Sequence, residues 1–159
     1  MRELLIRPFV PADTPAICRL YVETTRTING RDYTPAQVER WVAFAAQQEQ
    51  WRERLGRNRT LVADHHGQIV GFAELEQAGE VGYFYVAALH QSQGIGRQLM
   101  AGLLRAAREQ KCPALHADVS LSAQPFFSAQ GFSVLETSQP IVCGAPALRY
   151  RMVYHLPPG

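Results

Sequence analysis

The chain has 159 residues, 47% of them apolar, enough for one globular domain with its own core. Sixteen basic against fourteen acidic side chains leave a formal net charge of +2, too even a balance to suggest a nucleic-acid partner. No run approaches the roughly 18 apolar residues that span a bilayer, and the start, Met1 to Arg7, is too short and charged for a secretory leader. The expected setting is cytoplasmic and away from membranes. Cys18, Cys112 and Cys143 stand far apart without a histidine ladder, so neither a disulfide framework nor a metal site is expected.

In chain order, Leu4-Leu5-Ile6-Arg7-Pro8 reads as a short strand ended by proline, and Pro11 to Pro15 as a turn with Asp13 as helix cap. Ile17, Leu20 and Tyr21 recur at helical spacing and continue toward Thr24 and Ile28. After the turn signal Asn29-Gly30, Thr34 caps a second helix, Pro35 takes its first position and Gln37 completes a capping box. Val38, Trp41, Val42 and Ala45 share one side of that helix, and Trp41 is read as core. A further helical segment runs from Glu49 to Leu55 and stops near Gly56. Thr60 to Ala63 and Gln68 to Leu75 are strands around the hairpin tetrad Asp64-His65-His66-Gly67, whose histidines face solvent. Gly79 opens a turn before the strand Val81 to Val86.

An amphipathic helix follows from Gly96 to about Gln110, with Leu99, Met100, Leu103, Leu104 and Ala107 on one face. Leu115 to Val119 is a strand, Ala123 to Gln130 a short helix ended by Gly131, and Phe132 to Leu135 and Ala147 to Tyr154 are the closing strands. The fold class is α/β (α+β): one domain with a mixed, mostly antiparallel sheet flanked by helices. The exposed closing strands invite pairing into a homodimer.

Between strand and helix lies Ala87 to Arg97, with Gly94 and Gly96 in the run Gln91-Ser92-Gln93-Gly94-Ile95-Gly96. Glycines there let successive amides point outward at the positive end of the helix, the geometry of a diphosphate site, and Arg97 would add a cation. Tight packing of helix on sheet explains two glycines equally well. The spacing fits neither the dinucleotide fingerprint nor a P-loop, although another nucleotide-binding α/β fold stays open.

The run Tyr85 to Gly96 resembles the acetyl-coenzyme A signature of the GNAT superfamily of N-acetyltransferases, with Gln91, Gly94 and Gly96 in its fixed places. The order of Leu5 to Pro8, Asp64 to Phe72 and Ala123 to Phe132 extends the likeness over nearly the whole chain. Ile28 to Gln37 with Trp41 is similar to a small bacterial branch. The resemblance implies that the strand ending at Val86 splays from the Leu115 to Val119 strand. Pantetheine would then lie along Tyr85 and Val86, with the pyrophosphate on Gln91, Ser92, Gln93, Gly94, Ile95, Gly96 and Arg97, and with Ser120 and Phe127 beside the arm. No metal is implied. Ala88 and Ser92 replace the usual proline and glycine of the turn.

Transfer of an acyl group from a thioester to an amine needs a base, an oxyanion donor and a route for the thiolate to leave. The resemblance makes Glu80 the base, its pKa raised by burial beside Tyr83 or Tyr85, with Glu74 and Glu76 as weaker candidates. The amide at Val86 would meet the oxyanion. The family's usual acid tyrosine is here Phe127, which has no proton to give, so Tyr85, Tyr83, Tyr150, Ser120, Ser122 or water takes that part, or the thiolate leaves unassisted. Arg26, Arg31, Tyr33, Trp41 and Tyr150 are the expected acceptor contacts for a small-molecule amine. The resulting expectation is a direct N-acetyltransferase. A non-catalytic acyl-coenzyme A binding or regulatory module is the alternative, favoured by Phe127.

Overall fold

The computed structural model describes residues 3–158. Its first helical layer is built from three helices that follow strand β1 (Leu4–Pro8): α1 (Thr14–Thr27), α2 (Pro35–Val42) and α3 (Gln48–Arg57). The capping box forms as its residues dictate, with Thr34 Oγ1 accepting from the Gln37 amide and Gln37 Oε1 accepting from the Thr34 amide. Gln37 has a second task. Its buried Nε2 donates to the carbonyls of Val142 and Ala145, tying α2 to a small hairpin of β7 (Ile141–Val142) and β8 (Ala145–Pro146) that the sequence pattern does not reveal.

Asp13 departs from expectation. It stands before α1, but its side chain makes no cap hydrogen bond there. Its carboxylate instead accepts from both terminal nitrogens of Arg7 and from the Val10 amide. A charged donor on the neighbouring strand outcompetes a local helix amide.

Strands β2 (Arg59–His65) and β3 (Gln68–Leu75) close the expected hairpin, with His66 and Gly67 both at positive φ as a tight two-residue turn requires. β4 (Glu80–Val86), β5 (Ala114–Ser120), β6 (Ser133–Ser138) and β9 (Arg149–His155) complete a seven-stranded sheet in the order β1-β2-β3-β4-β5-β9-β6. Every pairing is antiparallel except β4 with β5. The final strand is therefore interior, and the edge strands are β1 and β6.

α4 (Ile95–Glu109) makes the crossover between the two parallel strands and buries Ile95, Leu99, Met100, Leu103, Ala106 and Ala107 on one sheet face. Leu99 and Leu103 have no exposed surface, and each contributes roughly 2 kcal/mol by leaving water. The short α5 (Gln124–Ala129) joins the same face through Phe126 and Phe127. α1 and α3 cover the other face of β2 to β4, where Ile17, Leu20, Tyr21, Trp51 and Leu55 meet Val62 and Phe72.

Candidate active site

Two irregularities in and after β4 create the site. The first is a fork. β4 and β5 are paired only at Glu80 with His116 and Val81 with Ala117, after which β5 continues alongside β9 as far as Ser120 while β4 turns away. The second is a bulge, since Ala73 opposes Phe84 and Leu75 opposes Val81, so that Glu74 alone faces Gly82 and Tyr83. A bulge bends and twists its strand, and this one begins where the pairing with β5 stops.

The side chains of β4 then divide between the two sheet faces. Phe84 and Val86 pack toward α4, whereas Tyr83 and Tyr85 pack toward α1. A cavity of about 550 Å³ occupies the fork and is lined from both sides, by Phe126 and Phe127 of α5 and by Thr24 of α1 and Ile28 at its C-terminal end. The opening thus passes through the sheet. Its volume lies in the usual range for small-molecule sites.

On the α4 side the cavity meets the turn that precedes the helix. Ser92 and Gly94 have φ of 62° and 83°. No amide from Gln91 to Arg97 donates a hydrogen bond among the described residues, so a row of N–H groups stands at the positive end of a 15-residue helix. The two glycines do different work. Gly94 supplies the left-handed φ with nothing near its missing side chain, whereas a Cβ on Gly96 would stand 3.0 Å from the Phe126 ring. Anion-site geometry and close helix packing, the two explanations of the glycines, are both present, one at each residue.

Tyr85, Val86, Gln91, Ser92, Gly94, Ile95, Gly96, Arg97, Ser120 and Phe127 all line the cavity, as expected of the coenzyme side. Gln93 does not. Its amide oxygen lies 3.4 Å from Nδ1 of His90, which does line the cavity. The Gln91 side chain donates to the Val86 carbonyl at 2.7 Å and so ties the turn to the end of β4. Phe127 is buried edge-on against Phe84 and Phe132.

The acceptor side differs more from expectation. Arg26 is exposed and paired with Glu39. Tyr33 donates its hydroxyl to the Leu148 carbonyl and packs edge-on to the half-buried Trp41, and Tyr150 packs against the α4-side core. None of the five expected contacts, Arg26, Arg31, Tyr33, Trp41 or Tyr150, lines the cavity, and Arg26, Tyr33 and Tyr150 are each taken up by partners remote in sequence. Thr24, Ile28 and Asn29 line it instead. The signal for them was the continuation of the α1 stripe past Tyr21. Thr24 Oγ1 is buried and has no hydrogen-bond partner among the described residues.

Glu80 lies just outside the cavity, its carboxylate held bidentately by Arg151 at 2.6 and 2.7 Å, and not beside Tyr83 or Tyr85. Arg151 also donates to Asp118 at 3.3 Å, and Asp118 does line the cavity at the apex of the fork. Glu74 is fully buried and bonded, so it reaches no ligand. Ser122, which lines the cavity, donates to Asp32 in the segment after α1. Burial among aromatic rings raises the Tyr85 phenol well above its ordinary value, and burial pushes the Cys18 thiol up to about 11. Neither ionises near neutrality.

No helix among the described residues is long and apolar enough to cross a membrane, and no group of three or more His, Cys, Asp or Glu side chains among them is arranged to hold a metal ion.

A mixed sheet forked between two parallel strands, with a helix N-terminus at the fork, defines an acetyltransferase-type α/β domain. The chain belongs to the acetyltransferase (GNAT) domain family, whose model matches residues 29–154. It is 24% identical over 155 residues, 97% of both chains, to the uncharacterized N-acetyltransferase YafP of Escherichia coli strain K12. Among solved structures it matches a GCN5-related N-acetyltransferase from Rhodopseudomonas palustris with a TM-score of 0.91 and 25% identity over 98% of each chain. The PaiA N-acetyltransferase of Thermoplasma acidophilum, solved in complex with coenzyme A, shares the fold at a TM-score of 0.81 and 16% identity, over 96% of this chain and 99% of that one.

Proposed function

We propose that the protein transfers the acetyl group of acetyl-coenzyme A directly to the amine of a small molecule. The observation that carries this reading is the cavity that crosses the sheet, with undonated amides on one side and a carboxylate and an orphan hydroxyl on the other. Such an opening lets two substrates meet from opposite faces.

The residues fit the donor. The amides of 91–97 and Arg97 suit a diphosphate, and beyond Val81 the fork-side polar groups of β4 have no strand partner, which suits an amide-bearing arm. The coenzyme A complex of PaiA, on the same fold, supports this assignment. When bound, the donor supplies an activated acyl thioester.

On the far side, Asp118 faces the incoming amine and takes its proton, while Glu80 fixes Arg151 and through it Asp118. Thr24 Oγ1 offers a hydrogen bond to a second polar group of the acceptor. A main-chain amide near Val86 meets the charge that gathers on the acyl oxygen. Tyr85 donates a hydrogen bond to the departing sulfur. It does not give up its proton, since a phenol held above its usual value of about 10 is a weaker acid than a thiol near 8.5.

Calorimetric titration with coenzyme A, NAD and ATP, followed by free-thiol release from acetyl-coenzyme A with an amine panel, tests the reading. Binding of coenzyme A alone and amine-dependent thiol release are expected, and absence of coenzyme A binding overturns it. Phe127, in the place of the family's acid tyrosine, favours a second reading as an acyl-coenzyme A binding module. Tight binding without thiol release for any amine would select it.

A further inference from the structure

We infer that Glu74 is a positioning residue, whose buried carboxylate stands in for a strand partner opposite Gly82 and Tyr83 and thereby holds open the fork that receives the acyl donor. The inference rests on the proposed function only for what the fork binds. The clamp itself is independent of it.

A bulge frees main-chain groups from the ladder, and a buried amide freed in this way needs another acceptor. Glu74 provides it. Its Oε1 accepts from the Tyr83 amide at 3.1 Å, so a side chain of β3 replaces the missing carbonyl of β3. The same carboxylate accepts from Arg54 Nε and one terminal nitrogen, each at 2.8 Å, and from Asn58 Nδ2 at 2.8 Å. With four donors around its two oxygens the carboxylate is fully satisfied. A glutamine could accept on only one of its two head atoms.

Gly82 makes the arrangement possible, because a Cβ there would lie 2.0 Å from Glu74 Oε1. The clamp also fixes the side chain that follows. Arg54, held by Glu74, lies 4.4 Å over the Tyr83 ring, whose other neighbour Trp51 stacks at 4.4 Å and 11°. Tyr83 lines the cavity, and Gly82 does so too.

Stability alone does not account for a carboxylate with no exposed surface, since buried ion pairs are often matched by apolar residues of similar volume. Place accounts for it. The clamp sits at the residue pair where β4 stops pairing with β5, and an apolar residue at 74 would leave the Tyr83 amide to seek a regular ladder and straighten β4 toward its neighbour.

The double substitution Glu74→Leu with Arg54→Met tests this, because removing both charged partners spares the fold the cost of one unpaired charge. The expected result is a folded protein whose coenzyme A dissociation constant rises roughly tenfold or more, the equivalent of one lost amide contact. A folded double variant that binds coenzyme A as the natural chain does overturns the proposal. Hydrogen exchange on the natural chain covers the case in which the variant does not fold. The Tyr83 amide should be protected as a core strand amide is, and exchange as fast as that of the 91–97 amides overturns the clamp. Failure of the natural chain to bind coenzyme A would sink the proposed function and leave the exchange result to decide on Glu74.

Discussion

The bulge at Gly82 and Tyr83 and the turn from Gln91 to Arg97 flank the same stretch of β4 and treat their main-chain polar groups in opposite ways. At the bulge the freed amide is taken up by a buried carboxylate that is itself saturated by Arg54 and Asn58. In the turn, from Gln91 to Arg97, no amide donates a hydrogen bond among the described residues. The first region is complete within the chain, and the second leaves its donors open. A polar group satisfied internally serves shape, and one left open serves recognition, so substitutions in the two regions should separate stability from binding.

The largest effect is expected from Gly82→Ala, which drives a methyl into Glu74 Oε1. A loss of about 3 kcal/mol is expected, or a fall in Tm of roughly 5–10 °C by thermal unfolding. An unchanged Tm would show that the bulge is soft and break the contrast. Next, Gly94→Val at φ 83° should lower stability by only about 1–2 kcal/mol while weakening coenzyme A binding about tenfold by titration. Equal losses at the two sites in both measurements would erase the distinction.

Asp13 is a second saturated carboxylate, far from the fork in sequence, and sharpens the comparison through pH. Burial pushes its pKa up, but the hydrogen bonds from Arg7 and the Val10 amide and the Arg7 charge outweigh this and hold it below the ordinary range. A folded-state pKa below the unfolded one gives stability that is present above about pH 4 and lost as the pH falls through the folded value. Asp13→Asn should therefore cost about 2 kcal/mol at pH 7, and the gap to the natural chain should close in denaturant titrations repeated below pH 4. The smallest effect is a gain. Ser92 holds φ 62° without being glycine, so Ser92→Gly should raise stability by up to about 1 kcal/mol in urea titration, with the turn amides still available.

What could be read in the sequence follows the same divide. The Thr34 and Gln37 box, the His66-Gly67 hairpin and the Gly94 turn are local, and the side chains that specify them lie within a few residues of the geometry they produce. The turn side of the cavity was legible for that reason. The bulge was not, because an extra residue in β4 has meaning only against the register of β3. Arg26, Tyr33 and Tyr150 look like free contacts along the chain and are taken up by Glu39, by the Leu148 carbonyl and by the α4-side core. Asp13 was misread in the same manner, its carboxylate going to a neighbouring strand. Thr24 and Ile28 were visible as a helical stripe but not as the wall of a chamber.

The cavity is walled by α5 on one face of the sheet and by α1 on the other. On the proposed reaction, a donor seated at the turn before α4 leaves the α1 side clear for the acceptor. Steady-state rates measured against both substrates should accordingly give intersecting lines, with either reactant able to arrive first.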